Sequence, residues 1–154
     1  RPSDKLSQFG VNTVVGDASS LKSLHQCNIQ SFKSVSCIHA IEHFGLGRYG
    51  DEINPYGVRD FSLSISASLG SGTILYLGFP IGLNQIIFNA HRLMQPSYYF
   101  ELFEDSFFLD KSFLITPNKG ELWRCFSSPH DVFLLDKATL TNTSNSVLFV
   151  LRKK

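Results

Sequence analysis

The stretch Ser34-Val35-Ser36-Cys37-Ile38-His39-Ala40-Ile41-Glu42-His43-Phe44-Gly45 decides how this chain folds. Its first half, 34–38, is a short, nearly continuous apolar run. Runs of that kind suit strands covered on both faces, as in parallel α/β sheets. Its second half predicts a short helix over 40–44, which Gly45 stops. A second run, 73–79, follows the abrupt break Leu69-Gly70-Ser71-Gly72 and reads the same way.

The runs 13–15 and 146–151 also read as clear strands. Helices are expected at 19–25 and 96–103. The Ser-rich segment 56–69 keeps Phe61, Leu63, Ile65, Ala67 and Leu69, and reads as a helix of poor propensity with a glycine C-cap. Strand, helix, strand, helix, strand is the doubly wound pattern. The end of the chain differs. Runs 107–115, 121–126 and 146–151 have only Pro, Asn and Gly turns between them, which predicts antiparallel strands closing one edge of the sheet.

Composition narrows the function classes. The 154 residues suit one domain, and 43% hydrophobic against 18% charged residues allows a full core. The 14 Phe are spread along the chain, as packing residues would be. A net charge of +1 offers no electrostatic footprint for nucleic acid, and the one basic run, Arg152-Lys153-Lys154, reads as a solvated tail. Three scattered cysteines form neither a disulfide framework nor a zinc knuckle. No apolar stretch approaches the roughly 20 residues of a membrane span. The opening Arg1-Pro2-Ser3-Asp4-Lys5 is polar, lacks an initiator Met and shows no signal peptide, so the compartment stays open.

Several motifs carry chemistry. His39-Ala40-Ile41-Glu42-His43 matches the H-x-x-E-H zinc-hydrolase pattern, which works only where a helix puts both histidines on one face. The bland alternative is two histidines bonded to backbone at a strand-to-helix turn. Gly45-Leu46-Gly47-Arg48-Tyr49-Gly50-Asp51 follows a helix instead of opening one, so it reads as a shaped loop and not as a phosphate cradle. Arg48 there binds a substrate anion, or else pairs with Asp51 or Glu42. Asn89-Ala90-His91-Arg92 is polar in an apolar neighbourhood. It offers His91 as a general base, or else Asn89 and His91 satisfy the loop. Asn142-Thr143-Ser144 fits the glycosylation sequon, a pattern that chance often supplies.

Three segments carry a family resemblance: Val14-Val15-Gly16-Asp17-Ala18, the run from Phe32 to Asp51, and Leu77-Gly78-Phe79-Pro80-Ile81-Gly82 with Phe88-Asn89-Ala90-His91-Arg92. Over residues 1–113 the chain resembles a family of uncharacterised proteins found in nematodes, plants and bacteria, which in turn resembles class I S-adenosylmethionine-dependent methyltransferases. The resemblance implies an α/β fold: a truncated Rossmann-like, mostly parallel sheet with an antiparallel C-terminal edge. It implies S-adenosylmethionine as cofactor, with Asp17 beside the adenine and the Ala18 N–H as its neighbour. Ile38, His39 and Ala40 would line the pocket near the sulfonium. A small or sugar-like acceptor would meet Glu42, Arg48 and Asn89, with His43 or His91 taking its proton. In open α/β sheets ligands bind beyond the carboxyl ends of the strands, where Asp17 and His39 both stand. The turns at Gly16-Asp17 and His39-Ala40 are therefore expected to open onto one cavity.

The chain also departs from that pattern. The Gly-rich loop after the first strand and the acidic residue that holds the ribose are absent from the sequence, which opens at Arg1-Pro2. A single domain, 1–154, lacking the first two strands is therefore expected. Its strand 34–38 needs a partner: the 13–15 strand, another segment, or a second chain. The reading is a methyltransferase-like protein acting on a hydroxyl. The alternatives are a non-catalytic relic serving as an interaction module and, third, a zinc hydrolase.

Overall fold

The structure is a computed structural model that describes residues 16–48, 50, 52–88, 90–117 and 123–154. The strand expected at 13–15, its pairing with 34–38, and Asn89 lie outside the described residues.

In chain order the elements are α1 (Leu21–Gln26), β1 (Ser34–Ile38), a 3-10 turn (Ile41–His43), α2 (Gly57–Ser68), β2 (Ile74–Pro80), β3 (Gln85–Ile87) and β4 (His91–Leu93). There follow α3 (Pro96–Glu101), β5 (Phe107–Ile115), β6 (Trp123–Cys125), a 3-10 helix (Pro129–Leu134), α4 (Lys137–Thr141) and β7 (Ser146–Lys153). The main sheet has the order β1-β2-β7-β5-β6. β1 and β2 are parallel, in register from Ser34↔Ile74 to Ile38↔Gly78. The β2–β7, β7–β5 and β5–β6 pairs are antiparallel. Hence β1, β2 and β5 point one way, and β7 and β6 the other. This is the expected α/β class with its antiparallel C-terminal edge.

Alternation builds the centre of the sheet. Leu75, Leu77 and Phe79 of β2, and Val147, Phe149 and Leu151 of β7, are fully buried. Phe79 lies 4.2 Å from Tyr99 in a close tilted contact, and 5.0 Å from Phe149 edge to face, the latter within the range of favourable aromatic pairs. β5 breaks register with β7 between Leu109 and Lys111. Asp110, at that irregularity, is gripped through two bonds by Arg152, at 2.8 and 3.0 Å.

α2 forms despite its serines because Val58, Phe61 and Ile65 make one apolar stripe at helical spacing and are all buried. Its hydroxyls find carbonyls: Ser62 donates to Arg59, and Ser68 to Ser64. The helix ends at Ser68 with Leu69 extended, and the glycine that turns left-handed is Gly72, not Gly70. Two further local differences are physical. In place of the helix expected over 40–44, Ile41–His43 makes a 3-10 turn, which His39 enters with a left-handed φ of 49° and after which Gly45 leaves at 72°. The segment around His91 is a small hairpin, β3–β4, where a loop was expected. β1 is covered less than expected: among the described residues Ser34, Ser36 and Ile38 are exposed.

Candidate functional site

The carboxyl end of β1 carries the site. The His39 N–H donates to the Gly78 carbonyl at 2.9 Å, extending the β1–β2 ladder one residue past the strand. The chain then folds into the 3-10 turn, and Phe44 leads into Gly45. A Cβ at Gly45 would run into the Asn54 carbonyl, and one at Gly57 would come within 2.9 Å of the Gly45 nitrogen. The two glycines thus let Gly45 and Asn54 approach closely at the start of α2. The Asn54 N–H donates to the Gly45 carbonyl, while the Asn54 side chain donates to Asp60 at 2.7 Å.

Opposite stands the turn at residues 16–20. Asp17 accepts from both the backbone N–H and the hydroxyl of Ser19, at 2.9 and 2.7 Å. Ser64, on α2, donates to the Ser19 carbonyl at 2.6 Å and ties this turn to the helix. The two turns meet around a cavity of about 650 Å³, whose lining includes Asp17, Ala18, His39, Ala40, His43 and Asn54. That volume lies within the range of small-molecule sites, roughly 300–1,000 Å³. The two turns do share one cavity.

The other expected site residues fall nearby but not on its wall. Among the described residues, Ile38, Glu42, Arg48 and His91 do not line the cavity. Ile38 lies over Gly78, where an added Cβ would meet its side chain at 3.1 Å. Glu42 is 2% exposed. Its Oε1 sits 3.4 Å from His39 Nδ1 and 3.6 Å from His43 Nε2. Its Oε2 and the Tyr99 hydroxyl are buried without a hydrogen-bond partner among the described residues. His43 Nδ1 lies 2.6 Å from the Ala90 carbonyl oxygen, and Arg48 donates to the same oxygen at 3.0 Å. His91 meets His43 edge-on at 6.3 Å between centroids.

The Glu42 charge is felt around it. Burial, then Glu42, pushes the Cys37 thiol up to about 12, against a bond from the Ile41 backbone that lowers it. Burial, then Glu42, also lifts the Tyr99 phenol well above its usual range, while Arg92 pulls the other way. Arg92 is a buried cation absent from the expected site. From β4 it donates to the Phe44 carbonyl at 2.6 Å and reaches the Glu42 carbonyl at 3.5 Å, bracing the 3-10 turn from behind. Its only trace in the sequence is the polar cluster at 89–92. Asn54 and Glu52, which also line the cavity, gave no signal beyond their place in a loop. The H-x-x-E-H pattern lies on a 3-10 turn entered from a left-handed residue, not on the helix that zinc chemistry requires. Among the described residues no group of three His, Cys, Asp or Glu could hold a metal ion. No helix among them is long and apolar enough to cross a membrane.

Comparison with known proteins now has a geometry to meet. Residues 15–104, more than half of the chain, match the family described as "Caenorhabditis protein of unknown function, DUF268". No curated protein matches the sequence. Among solved structures, the chain is similar to the crystal structure of a SAM dependent methyltransferase from Archaeoglobus fulgidus. The TM-score is 0.58 at 12% identity, covering 99% of this chain and 73% of that one. Likeness at that identity shows the fold, which is methyltransferase-like, and no more.

Proposed function

Given that the chain belongs to the family of Caenorhabditis proteins of unknown function, DUF268, and has a methyltransferase-like fold, we propose that it binds S-adenosylmethionine and methylates a hydroxyl on a small or sugar-like acceptor. One observation carries the reading: the Asp17 turn and the His39-Ala40 turn line a single cavity at the carboxyl end of β1.

The residues present fit such a cofactor. The volume suits a nucleoside-sized ligand with room for an acceptor. The Asp17 carboxylate, held by Ser19, takes the adenine, and the backbone at Ala18 flanks it. Ala40, a small residue next to the strand end, leaves space where the reactive carbon would lie. When bound, the cofactor supplies a methyl group on a sulfonium. The protein's own tasks are to orient the acceptor oxygen against it and to receive the acceptor's proton.

The test is calorimetric titration of the full chain with S-adenosylhomocysteine. We expect saturable heat at micromolar ligand, and at least tenfold weaker binding in Asp17→Asn. If millimolar ligand releases no heat, the non-catalytic interaction module replaces this reading.

A further inference from the structure

Among the described residues two histidines, His39 and His43, line the cavity, with His91 beside His43, and the geometry points to His39 as the one that receives the acceptor's proton. We propose that His39 is the catalytic base and that buried Glu42 is the positioning residue behind it, a dyad built into the turn that ends β1. The inference rests on the cavity reading above and assigns the base within it.

His43 is turned toward the protein. A nitrogen 2.6 Å from a carbonyl oxygen must carry a hydrogen, because two lone pairs at that distance repel. His43 Nδ1 therefore donates to Ala90. The Arg48 nitrogen 3.3 Å from Nδ1 is there because it serves the same carbonyl. His43 Nε2 faces Glu42, and the ring is only 13% exposed. His91 does not line the cavity.

His39 has the opposite disposition. Its side chain is 51% exposed and lines the cavity, while Nδ1 faces Glu42 Oε1 at 3.4 Å. A carboxylate behind Nδ1 holds the hydrogen there and leaves the Nε2 lone pair for the cavity. This is the logic by which a third group orients a catalytic base. Contacts of this kind are often long before substrate arrives. Glu42 itself is too deeply buried to touch a substrate. The backbone agrees: a non-glycine residue at φ 49° is an uncommon state, and the N–H bond to Gly78 holds it in place.

The step balances. The acceptor oxygen forms a bond to the methyl carbon, and the carbon–sulfur bond breaks with its electron pair going to sulfur. The acceptor proton passes to His39 Nε2, and solvent removes it after product leaves.

The test is long-range ¹⁵N–¹H spectroscopy of the histidine rings in the full chain, in the range where His39 is neutral. We expect His39 to carry its proton on Nδ1, the minor form for imidazole in water. Glu42→Gln should shift it towards Nε2–H, and Glu42→Asp should restore at least part of the Nδ1–H population. An Nε2–H ring in the native protein overturns the dyad. That result needs no mutant, so it stands even if the Glu42 variants fail to fold. Adding S-adenosylhomocysteine separates the two proposals. Perturbed His39 signals support both, whereas an Nδ1–H ring that ignores the ligand removes His39 from the cofactor's cavity and defeats its role as base there. Missing calorimetric heat defeats the cofactor reading separately.

Discussion

The two ends of the sheet are built by different rules. Along β2, β7 and β5 the buried side chains alternate, and aromatic rings such as Phe79 and Phe149 meet edge to face. At the carboxyl end of β1, His39, Gly45 and Gly47 all have positive φ within nine residues, and a buried carboxylate oxygen goes unmet. The first region follows the rule that apolar groups pack and polar groups pair. The second departs from it where a cavity opens. The contrast marks the rim as the candidate site: the sheet follows the packing rule, and the rim departs from it.

Three experiments test that contrast. The largest effect is expected from Phe149→Ala, which empties the crossing point of several rings. A loss of about 3–5 kcal/mol is expected from large-to-small core changes. Thermal melting should fall by roughly 10 °C or more for a domain of this size. The folded fraction should still bind S-adenosylhomocysteine normally at low temperature. Lost binding in fully folded protein would mean that core and rim are not separable.

An intermediate effect comes from Cys37, where β1 joins the two regions. Its thiol ionises near 9.0 when unperturbed and is pushed up to about 12 in the fold. Between those values the folded state holds a proton that the unfolded chain has lost. Stability therefore falls as pH rises through the window, by on the order of 4 kcal/mol in all. Urea melts at about pH 8 and about pH 10.5 should show a steeper decline for the native chain than for Cys37→Ala. Equal declines would show that the thiol is not protected.

The smallest effect should follow Ser64→Ala. Losing the bond to the Ser19 carbonyl costs about 1 kcal/mol of stability. If that bond holds the Asp17 turn over the cavity, affinity for S-adenosylhomocysteine drops several-fold at the same time. Unchanged affinity with the stability loss would make Ser64 a structural residue only.

The sequence displays the first region far better than the second. β1 and β5 have the bounds read from their apolar runs, and β2, β7 and α2 lie within one or two residues of theirs. Those segments carry a clear apolar signal of their own, as continuous runs in the strands and as a stripe in α2. The 3-10 turn after β1 was read as a helix because Ala-Ile-Glu-His-Phe has ordinary helical composition. The left-handed entry at His39, forced by the ladder bond to Gly78, is invisible in a one-dimensional pattern. The β3–β4 hairpin was missed since three-residue strands leave almost no period. The meeting of the Asp17 and His39 turns at one cavity was expected from the family resemblance, together with the rule that ligands bind beyond strand ends in open α/β sheets. The bracing by Arg92 was not, since it depends on a hairpin folding back across some 48 residues onto the Phe44 carbonyl.

The left-handed backbone at His39 has an evolutionary corollary. Histidine tolerates such angles better than most side chains, yet glycine and asparagine adopt them more readily. A library of variants screened for heat resistance alone should therefore drift from His39 toward those two residues. One screened for turnover should hold the imidazole against that drift. Position 39 would then record, in a single codon, which pressure a lineage has been under.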